Sequence, residues 1–458
     1  MPGEAASRPR GPRRIAFGVC AGAALFFSAP DAGAAGAKLQ ARGESSVGVT
    51  DNAQSAPDVP LEGGASKSAG VFIVLRPGLS LGVLSARTVN QLTYTFDYNL
   101  FLTRNSTSSS SNRLEYRGFF DLGPSVNAIL GASATEADSY AALTLAPPAS
   151  GLLPLLPSGT SQLFTASADE LVNFQLSVGW RAYEGAGVVY STPLFDTVAP
   201  RTVAPNAKLG AEYAWTADGV GLEGRANYAI VHDGVRPDGT VVPLDRELTV
   251  GGVGRYRHDL GRYFTSGVEA GALQVTRYGT HESRWYPVAG ANLAYTDIAF
   301  GGQLTYSHTV TTNVLLGQSL LADDVRLRGV VPLDKKGILS IAASGGFQIG
   351  RLLDERARLA ANISILAVDV TFGWRLNPWL LVGARAQHID QRSDVRVATL
   401  PVSFVQNSVM LGAAVQFPPD LEMPATYRAP QRVDRSDELR GVGQQTGEQI
   451  PAPTGRAR

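Results

Sequence analysis

With 40 Lys and Arg against 40 Asp and Glu in 458 residues, the chain is formally neutral, and no basic tract exceeds a few residues, so nothing in it recommends nucleic acid as a partner. The one cysteine, Cys20, falls in the apolar core of an N-terminal export signal, which excludes disulfides, Cys-ligated zinc and thiol catalysis from the mature chain. Gly is abundant and Met scarce, and beyond residue 34 no apolar run reaches the ~20 residues that a membrane-spanning helix needs, which leaves a large all-β architecture.

The first stretch, "MPGEAASRPRGPRR", carries Arg8, Arg10, Arg13 and Arg14, the residues 15–29 that follow are apolar, and "AGA" ends at Ala34. This is the pattern of a secretory signal peptide over 1–34, cut after Ala34. Thereafter the chain alternates apolar and polar residues, the period of a β-strand whose two faces meet different surroundings. In chain order the predicted strands span 38–50, 70–85, 88–103, 113–122, 125–138, 169–183, 185–197, 205–217 and 219–233. They continue over 246–258, 262–278, 285–296, 298–310, 321–333, 338–350, 362–376, 379–390 and 402–417. In "QLTYTFDYNL", Leu92, Tyr94, Phe96, Tyr98 and Leu100 share one face, and Gln91, Thr93, Thr95, Asp97 and Asn99 the other. A soluble sandwich would bury the aromatic face, whereas a membrane barrel would turn it to lipid.

The connections favour the barrel. Tight turns such as "DLGPS", Glu184–Gly185, "ADG", "DLGR", "TD", "DKKG" and "NP" alternate with long links over 104–112, 139–169, 234–246 and 391–401. Outer-membrane barrels sort their loops in this way, with short periplasmic turns and longer outer loops. The predicted fold is a transmembrane antiparallel up-and-down β-barrel of about 18 strands over 35–417, followed by a disordered periplasmic tail over 418–458 rich in Pro, Gln and charge. Trp180, Trp215, Trp374 and Trp379 all fall near the short-turn side, as an aromatic girdle in a headgroup zone requires, with Tyr256, Tyr263, Tyr295 and Phe300 at the same level.

The last strand, "NSVMLGAAVQF", ends on Phe417. Its Gly412, Val415 and Phe417 resemble the C-terminal signal of bacterial outer-membrane barrels, which implies the bacterial outer membrane as the address, with outer-membrane lipid and the barrel-assembly machinery as partners. Met410 and the tail after Phe417 depart from that pattern. Over 38–417 the chain resembles Gram-negative outer-membrane porins. Its opening "ESSVGVTDNAQSAP", with Thr50, Asp51 and Asn52, also resembles the start of β-barrel porins associated with exopolysaccharide secretion. The first resemblance implies a solute channel, and the second an exit channel for polysaccharide with secretion-system components as partners. A closed surface barrel serving as adhesin or scaffold is the alternative.

The residues expected to line the pore are Asp97, Arg113, Glu115, Arg117, Arg181, Arg225, Arg255, Arg257, Arg326, Arg328, Asp369, Arg375 and Arg385, together with Lys208, Glu212, Glu223, Glu269, Arg277 and Asp324. Fixed charges on a pore wall select solutes, and the excess of cations here favours anions. The same charges could instead form salt-bridge ladders that only stiffen the wall. His232, His258, His281, His308 and His388 lie apart at no metal-ligand spacing, and no Gly-x-Ser-x-Gly accompanies them, so neither enzyme activity nor a cofactor is expected. "GGVG" at 251–254 is too incomplete for a phosphate loop. The 139–169 link, with Leu152, Leu153, Leu155 and Leu156 among prolines, is expected to narrow the pore, as the loop at that place does in porins.

Phe417 is expected to act in insertion. Truncation after Phe417 should leave outer-membrane assembly intact, whereas Phe417→Ser should reduce the heat-modifiable, membrane-assembled fraction on gels.

Overall fold

A strand in hydrocarbon must pair its backbone N–H and C=O groups on both sides, because lipid offers no substitute partner. The chain meets that demand by closing one sheet on itself. The computed structural model describes residues 36–53, 67–102, 108–138, 162–194, 201–235, 241–261, 263–297, 300–313, 318–334, 338–353, 362–393 and 403–418. Its strands are β1 (Gly36–Thr50), β2 (Gly70–Leu84), β3 (Thr88–Phe101), β4 (Ser108–Gly123), β5 (Val126–Asp138) and β6 (Gln162–Gln175). Next come β7 (Trp180–Pro193), β8 (Arg201–Trp215), β9 (Asp218–Val235), β10 (Val241–Leu260), β11 (Phe264–Arg277) and β12 (Glu282–Thr296). The wall ends with β13 (Gly301–Asn313), β14 (Gln318–Pro332), β15 (Leu339–Leu352), β16 (Asn362–Asn377), β17 (Leu380–Ser393) and β18 (Phe404–Phe417). All belong to one 18-stranded antiparallel sheet in sequence order, and β18 returns to β1 through a ladder from Ala41 opposite Phe417 to Thr50 opposite Ser408. The barrel is closed.

Contacts between same-parity side chains on strands that are not neighbours identify the concave, inner face: Tyr183 of β7 bonds Glu223 of β9 and Arg255 of β10, and Arg225 of β9 bonds Glu269 of β11. Asn227 of β9 donates to the Thr312 hydroxyl of β13 at 3.0 Å, although β10, β11 and β12 lie between those strands in the sheet. Side chains so far apart along the wall can meet only through the interior. From Asn227 the cross-strand register carries the inner face round the whole barrel and returns to Asn227 without a change of parity. On β3 it places Gln91, Thr93, Thr95, Asp97 and Asn99 inside, and Leu92, Tyr94, Phe96, Tyr98 and Leu100 outside. The outer face elsewhere exposes Val71, Leu75, Leu79, Leu327, Val370, Phe372 and Leu411.

Aromatic rings gather on that outer face at the short-turn end. Trp180 and Tyr213 lie 5.0 Å apart, Tyr213 and Trp215 5.7 Å, Phe264 and Tyr295 4.6 Å, and Tyr295 and Phe300 5.5 Å. Trp374 and Trp379 flank the β16–β17 turn, both half-exposed.

Several boundaries differ from the sequence reading. The β6–β7 turn is 176–179, not Glu184–Gly185, because Gly179 takes a positive φ of 87° that reverses the chain there. "ELVNFQLSVGWR" is therefore not one strand, and Trp180 opens β7 rather than closing β6. Ser108–Ser111 belong to β4 and pair with β3, and Ser111 pairs with β5 as well, so these serines are strand and not loop. β9 and β10 stay paired out to Val235 opposite Val241, which turns most of the supposed 234–246 loop into hairpin. Gln162–Asp169 are likewise strand, and the remaining 139–161 of the expected constriction lie outside the described residues, as do the signal peptide and the tail beyond Pro418.

The assignment of faces gives a direct test. Near mid-strand, Phe96→Arg should destabilise the barrel by about 2–4 kcal/mol while Thr95→Arg is tolerated, measured by equilibrium unfolding in lipid vesicles.

Candidate functional site

Every pore-lining candidate, from Asp97 to Arg385, has inner-face parity, as do Lys208, Glu212, Glu223, Glu269, Arg277 and Asp324. The structure brings most of them into ion pairs. The densest group spans β7 to β11. Glu223 accepts from Arg225 Nε at 2.6 Å and from Arg255 Nη2 at 2.8 Å, while Glu269 accepts from the same two guanidinium groups at 2.8 and 3.2 Å. Two carboxylates and two guanidinium groups thus alternate in a closed ring. Tyr183 reaches it from β7, donating to Glu223 at 2.7 Å and accepting from Arg255 at 2.8 Å. To do so its ring crosses β8 directly above Gly210, where a Cβ would overlap it. The residue between Tyr183 and Glu223 therefore has to lack a side chain.

Neighbouring pairs extend the pattern. Glu212 receives Arg181 from β7 and Arg257 from β10. Arg76 joins Glu44 to Asp97, Arg113 meets Glu115, Arg326 meets Asp324, Arg385 meets Asp369, and Arg277 meets Glu247 at 3.1 Å. Arg42 differs: its Nη2 donates to the Ser80 hydroxyl at 2.6 Å and to Thr93 at 3.3 Å. Arg117, Lys208 and Arg328 are also engaged, and Arg375 is exposed next to the β16–β17 turn.

Sequence reasoning missed Arg42, Glu44, Arg76, Tyr183 and Glu247. In "VLRPGLS" the Pro77-Gly78 step interrupts the alternation that would have marked Arg76 as inner, and Tyr183 lay inside a strand whose boundary was misplaced.

The second feature is an element that leaves the wall. β12 and β13 pair from Thr296 opposite Gly301 up to Ala289 opposite His308, and no further. Thr296 N–H bonds the Tyr263 carbonyl ahead of β11, so the even residues of β12 address β11 and the odd ones face β13. Pro287 is odd and has no N–H to offer. Above it the β13–β14 hairpin leans inward over β12, β11 and β10. The face that would otherwise have looked outward now rests on the inner wall: Thr312 on Asn227, Ser319 on Glu247, and Val310 among Val253, Leu273, Val275 and Val288, with Tyr286, Leu321 and Leu353 packed alongside. The described residues thus contain an inward-folded element, and it is this hairpin.

Three of the histidines have outer-face parity. His258 bonds Asp218 at 2.7 Å beside Tyr256, His308 bonds Asp323 at 2.8 Å, and His388 bonds Asn407 at 2.7 Å, all on the outer face. Among the described residues no His, Cys, Asp and Glu group of three could hold a metal. "GGVG" lies in the middle of β10. Gly412, Val415 and Phe417 fall in β18, with the Phe417 side chain exposed on the outer face.

No protein-family model and no curated protein matches the sequence. Solved structures do. Pseudomonas aeruginosa OccK9 (OpdG) is 12% identical with a TM-score of 0.44, covering 83% of this chain and 98% of that one. Pseudomonas aeruginosa OccK2 (OpdF), solved in complex with glucuronate, is 13% identical with a TM-score of 0.41 over 83% of this chain and 98% of that one. A BenF-like porin from Pseudomonas fluorescens Pf-5 is 10% identical with a TM-score of 0.41, covering 84% and 99%.

The ring around Glu223, whose side chain is 1% exposed, should be a structural keystone of the wall. Glu223→Ala strands two guanidinium groups and the Tyr183 hydroxyl, and should lower the unfolding free energy by about 3–5 kcal/mol in a denaturant titration.

Proposed function

We propose that this chain is a channel of the bacterial outer membrane that passes small polar solutes. The observation that carries the reading is the opposition of the two faces around a closed wall: an apolar outer face with aromatic rings massed at one rim, and an inner face of charges, hydroxyls and amides. Such a wall is soluble in hydrocarbon and encloses a wet interior. A barrel of about 18 strands is too wide for its own inner side chains to fill, so it conducts unless something narrows it.

The β13–β14 hairpin is the narrowing element in this reading. It is held on the wall by polar contacts at Asn227 and Glu247, and its position sets the free cross-section of the outer half of the lumen. Most inner arginines are neutralised by partner carboxylates, and those ladders act chiefly to stiffen the wall. Arg42, bonded to hydroxyls alone, and the exposed Arg375 leave a modest positive bias, which favours anionic solutes. The reading of secreted polysaccharide as cargo stands on Thr50, Asp51 and Asn52. Those residues are occupied in sealing β1 to β18, with Asn52 donating to the Val405 carbonyl at 3.1 Å and Asp51 accepting from Asn407 at 2.6 and 2.8 Å.

Single-channel recording in planar bilayers tests the proposal. The purified chain should give ohmic conductance steps with a slight preference for anions, and Arg42→Gln should weaken that preference. A complete lack of conductance would point instead to a closed surface barrel serving as adhesin or scaffold.

A further inference from the structure

We infer that the upper β12–β13 seam is a lateral passage between the lumen and the outer leaflet, for molecules with a hydrocarbon portion. Around the rest of the barrel, neighbouring strands are stitched by a backbone ladder through most of their length. At this seam the ladder stops at Ala289 opposite His308, while β12 runs on to Glu282 and β13 to Asn313, each with a backbone ladder to its other neighbour alone among the described residues. Pro287, aimed at β13, is the covalent reason. Above that level the wall is shut by side chains alone.

At the seam itself those side chains are apolar. Val288 on the β12 edge and Val310 on the hairpin meet in a buried group with Val253, Leu273 and Val275 of the inner wall, flanked by Tyr286, Leu321 and Leu353. An apolar track therefore runs from the inner surface of β10 and β11 to the seam, whereas the other apolar groups of the inner face, Phe72, Val74, Phe101 and Met410 and then Ala367, Ile389 and Phe404, lie where the neighbouring ladders are continuous. A hydrocarbon chain that follows this track is not opposed by the desolvation of ions, and the track leads to the seam.

The height of the seam fits this use. Ala289 stands seven residues above Thr296 at the aromatic rim, or about 18 Å at roughly 3.4 Å rise and 40° tilt, within an apolar band about 25 Å tall. The half above Ala289 thus opens at the level of the outer leaflet. Trp285, 64% exposed on the same strand, marks the upper headgroup level beside it. Opening requires the hairpin to lift from Asn227 and Glu247 and from its apolar seat, and breaks no ladder between β12 and β13, because none exists there.

This inference rests on the proposed outer-membrane location, and the test separates the two. Cells producing the full chain, or a Val288→Cys/Val310→Cys variant, are exposed to the apolar fluorophore N-phenyl-1-naphthylamine, which an intact outer leaflet excludes. The pair of thiols is bridged after assembly by a short bis-methanethiosulfonate, each arm forming a disulfide with one thiol and releasing methanesulfinate, so folding is not at issue, and the chain's only other cysteine, Cys20, precedes β1 in the sequence. The chain should speed uptake several-fold over cells lacking it, bridging should return uptake to the control rate, and planar-bilayer conductance of the bridged protein should persist. A Pro287→Thr variant, which restores the missing N–H, should slow uptake in the same direction. Uptake unchanged by bridging, or lost together with conductance, would assign the fluorophore to the axial route and overturn the lateral one. Absence of conductance in the unmodified chain would instead overturn the channel reading.

Discussion

The closure of β18 onto β1 is the constraint on which everything else depends. An open sheet in hydrocarbon would leave two rows of unpaired amides, so the ladder from Ala41–Phe417 to Thr50–Ser408 has to form before any property of the interior exists. It is reinforced from both ends of the chain. Gln40 donates to the Pro418 carbonyl at 2.9 Å near the short-turn rim, and Asn52 and Gln406 exchange bonds with the opposite backbone at the other end. Once the sheet is closed, the period of two divides each strand between two solvents, and the division propagates without error through the whole circuit.

Inside the wall, electrostatics follows from geometry. Curvature brings inner side chains closer together than outer ones, and long arginines on adjacent or next-but-one strands find carboxylates across the ladder. The ring of Glu223, Arg225, Arg255 and Glu269 satisfies charges whose isolated burial would be costly. Its reach to Tyr183 over Gly210 ties β7 to β11 as one panel. The β13–β14 hairpin then docks on the upper part of this same panel, through Asn227, Glu247 and the valine and leucine group that starts at Val253, opposite Glu223, and extends upward. The stiffest part of the wall is also the seat of the element that leaves it.

That departure has a local cause and a distant consequence. Pro287 removes one donor from one ladder, yet the result is a hairpin whose two faces exchange roles: residues with outward parity become the contact surface for the interior. A period-two pattern cannot register this, because Val310, Thr312 and Leu321 still alternate as they would in a straight strand.

By itself the sequence determined a barrel of about eighteen strands, their order and the polarity of their faces, because alternation and turn residues are local and each strand repeats the same evidence. It also identified most of the inner charges, since a charge on the polar side of an alternating run has only one direction to point. Element ends were less legible: the β6–β7 turn was displaced by a glycine whose positive φ no composition reveals, and Ser108–Ser111, 234–235 and 241–246 read as loop although pairing holds them as strand. Only the tertiary structure decided which charges neutralise one another, that Arg42 meets hydroxyls, and that β13 and β14 turn inward. Those outcomes depend on contacts between residues as far apart as Asn227 and Thr312, and a chain does not record such distances in its local pattern.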